Sequence, residues 1–122
     1  MSAIPYCDDV LDPSVELWQL PDVAKLLGVA VTRVHQMLRD GSLIAVRRSG
    51  VLGVPEAFFV EEGEVVRFLP GLLVVLRDGG YSDEEILRWL FTEDETLPGT
   101  PAAVLHTDSA REVVRRAQAM AF

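Results

Sequence analysis

Thr32, Arg33, Gln36 and Arg39 are spaced so that one helix would gather them on a single side. Their chemistry is hydrogen bonding to an edge of planar groups. An arginine can bond bidentately to guanine and a glutamine to adenine, and the first turns of a recognition helix are the part that reaches base edges in the major groove. A few residues on, Arg47 and Arg48 precede Ser49-Gly50. Two guanidinium groups beside a tight turn suit phosphate, which positions a protein on a duplex without reading its sequence. The competing roles are a solvated helix face for the first set and, for the second, charges that discourage strand-to-strand association. Both sets are predicted to meet double-stranded DNA.

Other polar groups do not assemble into a reaction centre. Asp83-Glu84-Glu85 and Glu93-Asp94-Glu95 are paired carboxylates by sequence. The first group follows Ser82 as a helix start, where acids are favourable, and the second falls in a stretch expected to be a flexible loop. His35 is expected at the margin of its helix. His106 has no second histidine or cysteine at metal-ligand spacing. No Ser/His/Asp arrangement or glycine-rich phosphate loop is present. The chain is therefore expected to be no enzyme and to need no metal and no cofactor. Cys7 is the single cysteine, read as an unreactive thiol near a frayed N-terminus.

The elements that must position the basic residues follow from local pattern. Residues 1–16 read as an irregular acidic lead-in carrying Asp8, Asp9, Asp12 and Glu16. Leu17, Trp18 and Leu20 suit a short extended piece. Pro21 fits the first turn of a helix reaching Leu27, with Gly28 as its stop. A second helix is predicted from Val31 to Arg39, with Val31, Val34 and Leu38 as its buried stripe and Gly41 as a left-handed cap. Strands from Leu43 to Arg47 and from Val51 to Val54 flank a turn and read as a hairpin closed by Pro55. Helix-turn-helix followed by hairpin is a winged helix.

The second half reads as helical. One helix is expected from Pro70 to Asp78. A second starts at the capping box of Ser82 and Glu85 and reaches about Phe91. Glu93 to Pro101 is a loop, and a last helix runs from about Asp108 to Met120 behind Thr107 or Asp108. Arg111, Arg115 and Arg116 make that helix basic along one side, which offers either a solvated face with a Glu112–Arg116 pair or a second phosphate contact. The expected fold class is mainly α with a small β-hairpin. Its organisation is an irregular segment (1–16), a winged helix-turn-helix (17–60) and a helical C-terminal domain packed on it (61–122).

Composition sets the outer bounds. With 122 residues, 49% of them apolar, the chain has the size and content of one ordinary folded domain. The net charge of −8 argues on its own against nucleic acid. The distribution is more informative. Between Pro21 and Arg48 there are five basic and two acidic residues, or +3, leaving six basic and 17 acidic elsewhere, or −11. A local positive face can still meet phosphates while the remaining surface is repelled. No signal peptide is visible, and the longest apolar stretch, 68–76, is about half of the roughly 20 residues a membrane span needs. A cytoplasmic location is expected.

Two resemblances extend this reading. The run from Leu20 through Leu27-Gly28-Val29 to Arg39-Asp40-Gly41-Ser42-Leu43 resembles the excisionase and MerR-type winged-helix pattern, over about a third of the chain. More of the chain is similar to an actinobacterial winged-helix DNA-binding family that includes a substrate of the mycobacterial Ser/Thr kinase PknL. The residues that carry this are Asp8-Asp9-Val10-Leu11-Asp12-Pro13, Leu69-Pro70-Gly71-Leu72-Leu73, Asp78-Gly79-Gly80-Tyr81, Arg88-Trp89-Leu90-Phe91-Thr92 and the stretch from Ala110 to Ala121. The resemblance implies a winged helix joined to a helical C-terminal domain, DNA binding, and tuning by phosphorylation. The family's kinase-targeted threonine lies in a longer N-terminal extension, where this sequence offers only Ser2 before the acidic segment, and a Ser/Thr kinase or another protein is the further partner the resemblance implies. The function expected is a DNA-binding transcriptional regulator. The alternative is a protein-interaction adaptor that keeps the scaffold and reads no DNA, which the −11 balance outside the basic segment favours.

Overall fold

In the computed structural model, which describes residues 3–122, helix α1 spans Leu20–Leu27 and buries Leu20, Val23 and Ala24. Pro21 sits in its first turn, and Gly28 ends it in the left-handed conformation. Helix α2, Val31–Arg39, packs on α1 through Val34 and Leu38, both almost fully buried. Val31 departs from the expected stripe. It is 37% exposed at the first residue of α2, and the buried residues of the helix are Val34 and Leu38.

Strands β1 (Cys7–Asp8), β2 (Leu17–Gln19), β3 (Val46–Arg48) and β4 (Val51–Pro55) form one sheet in the order β1-β3-β4-β2. β3 and β4 are the predicted hairpin, with Arg47 opposite Leu52 and Arg48 opposite Val51. Ser49 and Gly50 both have positive φ, 52° and 79°, the twist that matches a two-residue turn to the right-handed twist of its strands. The first strand is shorter than expected. Leu43, Ile44 and Ala45 are fully buried but lie outside the ladder, so their apolar run reflects core packing and not strand pairing.

The lead-in is not irregular throughout. β1 runs parallel to β3, with Cys7 opposite Val46, and the Cys7 amide donates to the Ala45 carbonyl at 2.9 Å. Cys7 is thus a core residue and not a frayed end. Burial, helped by Glu84 and Asp83 nearby, pushes its thiol up to about 12. Ser2 lies outside the described residues.

After β4 a single 3-10 turn, Glu56–Phe58, leads into a small hairpin of β5 (Phe59–Val60) and β6 (Glu64–Val65) that straddles the expected boundary at residue 60. Helix α3, Leu69–Asp78, buries Leu69, Leu72, Leu73 and Leu76. Helix α4, Asp83–Leu90, starts at the predicted capping box, with the Glu85 amide donating to Ser82 Oγ and the Ser82 amide to Glu85 Oε1. The stretch from Glu93 is more ordered than a flexible loop. Asp94 accepts from the amide and hydroxyl of Thr96, and Thr100 caps a short helix α5, Pro101–Val104. The last helix, α6, spans Ala110–Ala121 and begins later than predicted. The Thr107 hydroxyl closes a turn on the Val104 carbonyl instead of capping α6, and Ser109 takes the cap position without a side-chain bond.

The two halves share one core. Phe58 and Phe91 approach with ring centroids 6.1 Å apart, and His106 Nε2 meets the Ala57 carbonyl at 2.6 Å. Arg77 of α3 donates to the Gly41 carbonyl just beyond α2, while its Nε donates to Asp83 at 2.8 Å. The recognition-type helix is therefore braced from behind by the C-terminal half.

Candidate nucleic-acid interface

The outer face of α2 carries Thr32, Arg33, Gln36 and Arg39, all exposed, with His35 half-buried at the margin as the sequence predicts. They share a face because Val34 and Leu38 lock the opposite side of a nine-residue helix into the core. Among the described residues, Thr32 and Arg33 make no side-chain hydrogen bond or ion pair. The Gln36 amide donates to Asp40 at 2.8 Å, one turn along. Such a row offers donors and an acceptor to a planar edge at the first turns of the helix.

Adjacent residues of the wing diverge. Arg47 is exposed, and its guanidinium lies 6.0 Å from the ring centre of Tyr6, itself 51% exposed. Arg48 points the other way. Its Nε donates to Asp9 at 2.7 Å, its Nη1 to the Val15 carbonyl at 2.8 Å, and its Nη2 to Asp9 and the Asp12 carbonyl. Strand alternation sends neighbours to opposite faces, so Arg47 and Arg48 do not both face outward as two groups beside a turn were expected to. The Arg48 guanidinium, together with the Leu11 amide at 3.1 Å, holds the Asp9 carboxyl below the usual carboxylate range. The acidic lead-in thus wraps around Arg48 and ties the wing to the body. Nothing local in the sequence announces this pair, since its members are 39 residues apart.

The other basic cluster is spent internally. Arg116 pairs with Glu112 at 3.1 Å and with Asp94 at 3.7 Å, and it donates to the Thr96 hydroxyl at 2.8 Å. Arg115 pairs with Glu112. Arg111 lies 5.8 Å from the centre of the Phe68 ring. No group of three or more His, Cys, Asp or Glu able to hold a metal ion occurs among the described residues. No helix among them is long and apolar enough to cross a membrane.

Residues 3–59 match the family described as the winged helix-turn-helix domain of DNA-binding protein Rv2175c, and residues 66–121 match the Rv2175c C-terminal domain of unknown function. The chain is 52% identical, over 134 residues, to DNA-binding protein Rv2175c of Mycobacterium tuberculosis (strain ATCC 25618 / H37Rv), covering 100% of this chain and 92% of the relative. This chain belongs to the Rv2175c family. The NMR structure of Rv2175c superimposes with a TM-score of 0.88, at 52% identity, covering 99% of this chain and 91% of that one. The family is named for DNA binding and not for a catalytic activity, in agreement with the expectation that the chain is no enzyme. The winged helix followed by a helical region is the architecture read from sequence.

Proposed function

We propose that this protein binds double-stranded DNA and acts as a transcriptional regulator in the cytoplasm. α2 lies in the major groove, with Thr32, Arg33 and Gln36 toward base edges and Arg39 toward the groove wall. Arg47 rests on the phosphate backbone. Arg48 does not touch DNA in this reading but sets the angle of the wing through Asp9.

The observation that carries the proposal is the outward, unpaired Arg33 on a helix whose opposite face is fixed in the core. A guanidinium kept free of carboxylates on an acidic protein needs no rearrangement before meeting an anionic duplex. The name of the Mycobacterium tuberculosis relative supports the same partner. A Ser/Thr kinase partner, implied by the family resemblance, would act through charge, since a phosphate added beside this face repels the backbone it approaches.

The test is fluorescence anisotropy on a labelled mixed-sequence duplex across a salt series. Wild type is expected to bind with a log–log salt slope of about −2 to −4, as a few phosphate contacts give. Arg33→Ala/Arg47→Ala should lose most of that binding while its thermal unfolding stays unchanged. Absence of binding by wild type at low salt would overturn the reading in favour of a protein-interaction adaptor.

A further inference from the structure

A broad concavity among the described residues lies away from α2 and the wing tip. It is an open groove of about 900 Å³ between β2, the 3-10 turn, the β5–β6 hairpin and the end of α4. Its apolar floor includes Trp18, Phe59 and Phe91, contributed by both halves of the chain. Trp18 and Phe91, both lining the groove, remain only half-buried. Large aromatic surface in a concave site is where binding energy concentrates in protein interfaces.

The rim has one sign. Glu16, Glu56, Glu61 and Glu62 line the groove, and none makes an ion pair among the described residues. No lysine or arginine lines it. His106 is the other ionisable neighbour, and its Nε2 is engaged by the Ala57 carbonyl. The acids at the lip are held in place. Gly63 closes the β5–β6 turn at φ +87°, and a Cβ there would stand 2.8 Å from the Leu26 carbonyl oxygen, so the turn lies directly against the end of α1. The turn that carries Glu61 and Glu62 is thereby held at the edge of the apolar floor.

We infer that this groove docks a short cationic segment of a partner protein, with one aromatic or large aliphatic side chain on Trp18 and Phe91 and flanking lysines or arginines on the four glutamates. Charge complementarity selects that occupant. Nucleic acid and anionic lipid are repelled by the rim, and a bare metal ion would have no use for the aromatic floor. The volume lies within the usual range for recognition pockets, roughly 300–1,000 Å³, which admits an anchor and its neighbours. The inference does not depend on the DNA reading, since it uses a different surface and a different probe.

The experiment is an NMR titration of the full chain, uniformly 15N-labelled, with an acetylated and amidated Lys-Arg-Trp-Lys-Arg peptide. Two control peptides accompany it, one with Ala for Trp and one with all four basic residues replaced by Glu. The expected result is saturable shifts at the Trp18 indole and around Phe59 and Phe91, at least about tenfold weaker affinity for either control, and a similar loss in Glu61→Lys/Glu62→Lys. That variant changes exposed turn residues and leaves the aromatic floor intact. Equal binding of the Ala peptide, shifts centred elsewhere, or indifference to the double charge reversal would each overturn the proposal. So would a concentration-dependent dimer of the wild type that Glu61→Lys/Glu62→Lys dissolves, because the occupant would then be a second copy of the chain.

Discussion

Two basic regions stand out in this sequence, and the structure treats them in opposite ways. On α2 and the wing, Arg33 and Arg47 project outward with no carboxylate partner among the described residues. On α6, Arg115 and Arg116 are absorbed by Glu112 and Asp94. The difference lies in what surrounds them. Along α2 the acid within one turn is Asp40, and it accepts from Gln36. Along α6, Glu112 lies one turn before both arginines, and the Glu93–Glu95 stretch folds against the helix to supply Asp94. A count of basic residues cannot tell a docking face from a structural one. The supply of nearby acids can.

The sharpest way to break this comparison is to neutralise each region and measure both affinity and stability. Arg33→Ala/Arg47→Ala should weaken duplex binding by about 10- to 100-fold and flatten the salt slope by about one per lost phosphate contact, with the unfolding midpoint unmoved. If binding survives, the exposed face is merely solvated.

Arg48 lies beside Arg47 in the chain but sides with the structural class. Its replacement by Ala should cost about 1–2 kcal/mol in denaturant unfolding, the range for hydrogen bonds to a charged group reduced for partial exposure. Loss of affinity should be smaller than for Arg47→Ala and should follow from a loosened wing.

The same pair gives a pH signature. Asp9 is held below its ordinary range by Arg48, so its contribution is full above that range and is lost as pH falls through the depressed folded-state value. Asp9→Asn should flatten the acid limb of the stability profile by about 1 kcal/mol and leave the neutral-to-basic limb parallel to wild type. An unchanged acid limb would mean that the ion pair is not held in solution.

The smallest effect is expected on α6. Arg115→Ala/Arg116→Ala should lower stability by about 0.5–1 kcal/mol, as for partly exposed ion pairs, and change duplex affinity less than twofold. A salt slope reduced as much as by the α2 variant would place α6 on DNA and dissolve the distinction.

What was legible in the sequence follows the range of the interactions involved. α2 is predicted at its observed ends, since Val34, Leu38 and Gly41 act within a few residues of one another. The Ser82–Glu85 capping box and the β3–β4 turn are equally local. β1 was invisible because two residues carry no periodicity and its partner strand begins 39 positions later. The β5–β6 hairpin and α5 are likewise too short for a pattern to declare them. For the proposed interface, Arg33 and Arg47 could be nominated from type and spacing. The inward commitment of Arg48 and the brace from Arg77 to Gly41 depend on the tertiary fold alone. The groove was missed because its aromatic floor and glutamate rim come from three separate stretches, 16–18, 56–62 and Phe91.

The pairing of β1 with β3 gives the molecule a built-in clock. Cys7 lies in the strand that supports the wing, and with its thiol pushed up to about 12 almost no thiolate exists at neutral pH while the strand is seated. Alkylation of Cys7 must therefore wait for β1 to peel from β3. Where reclosing is faster than reaction, the rate at which a thiol reagent consumes the protein reports the population of that opened state, and slowing of that rate by bound duplex would measure how firmly DNA holds the wing shut.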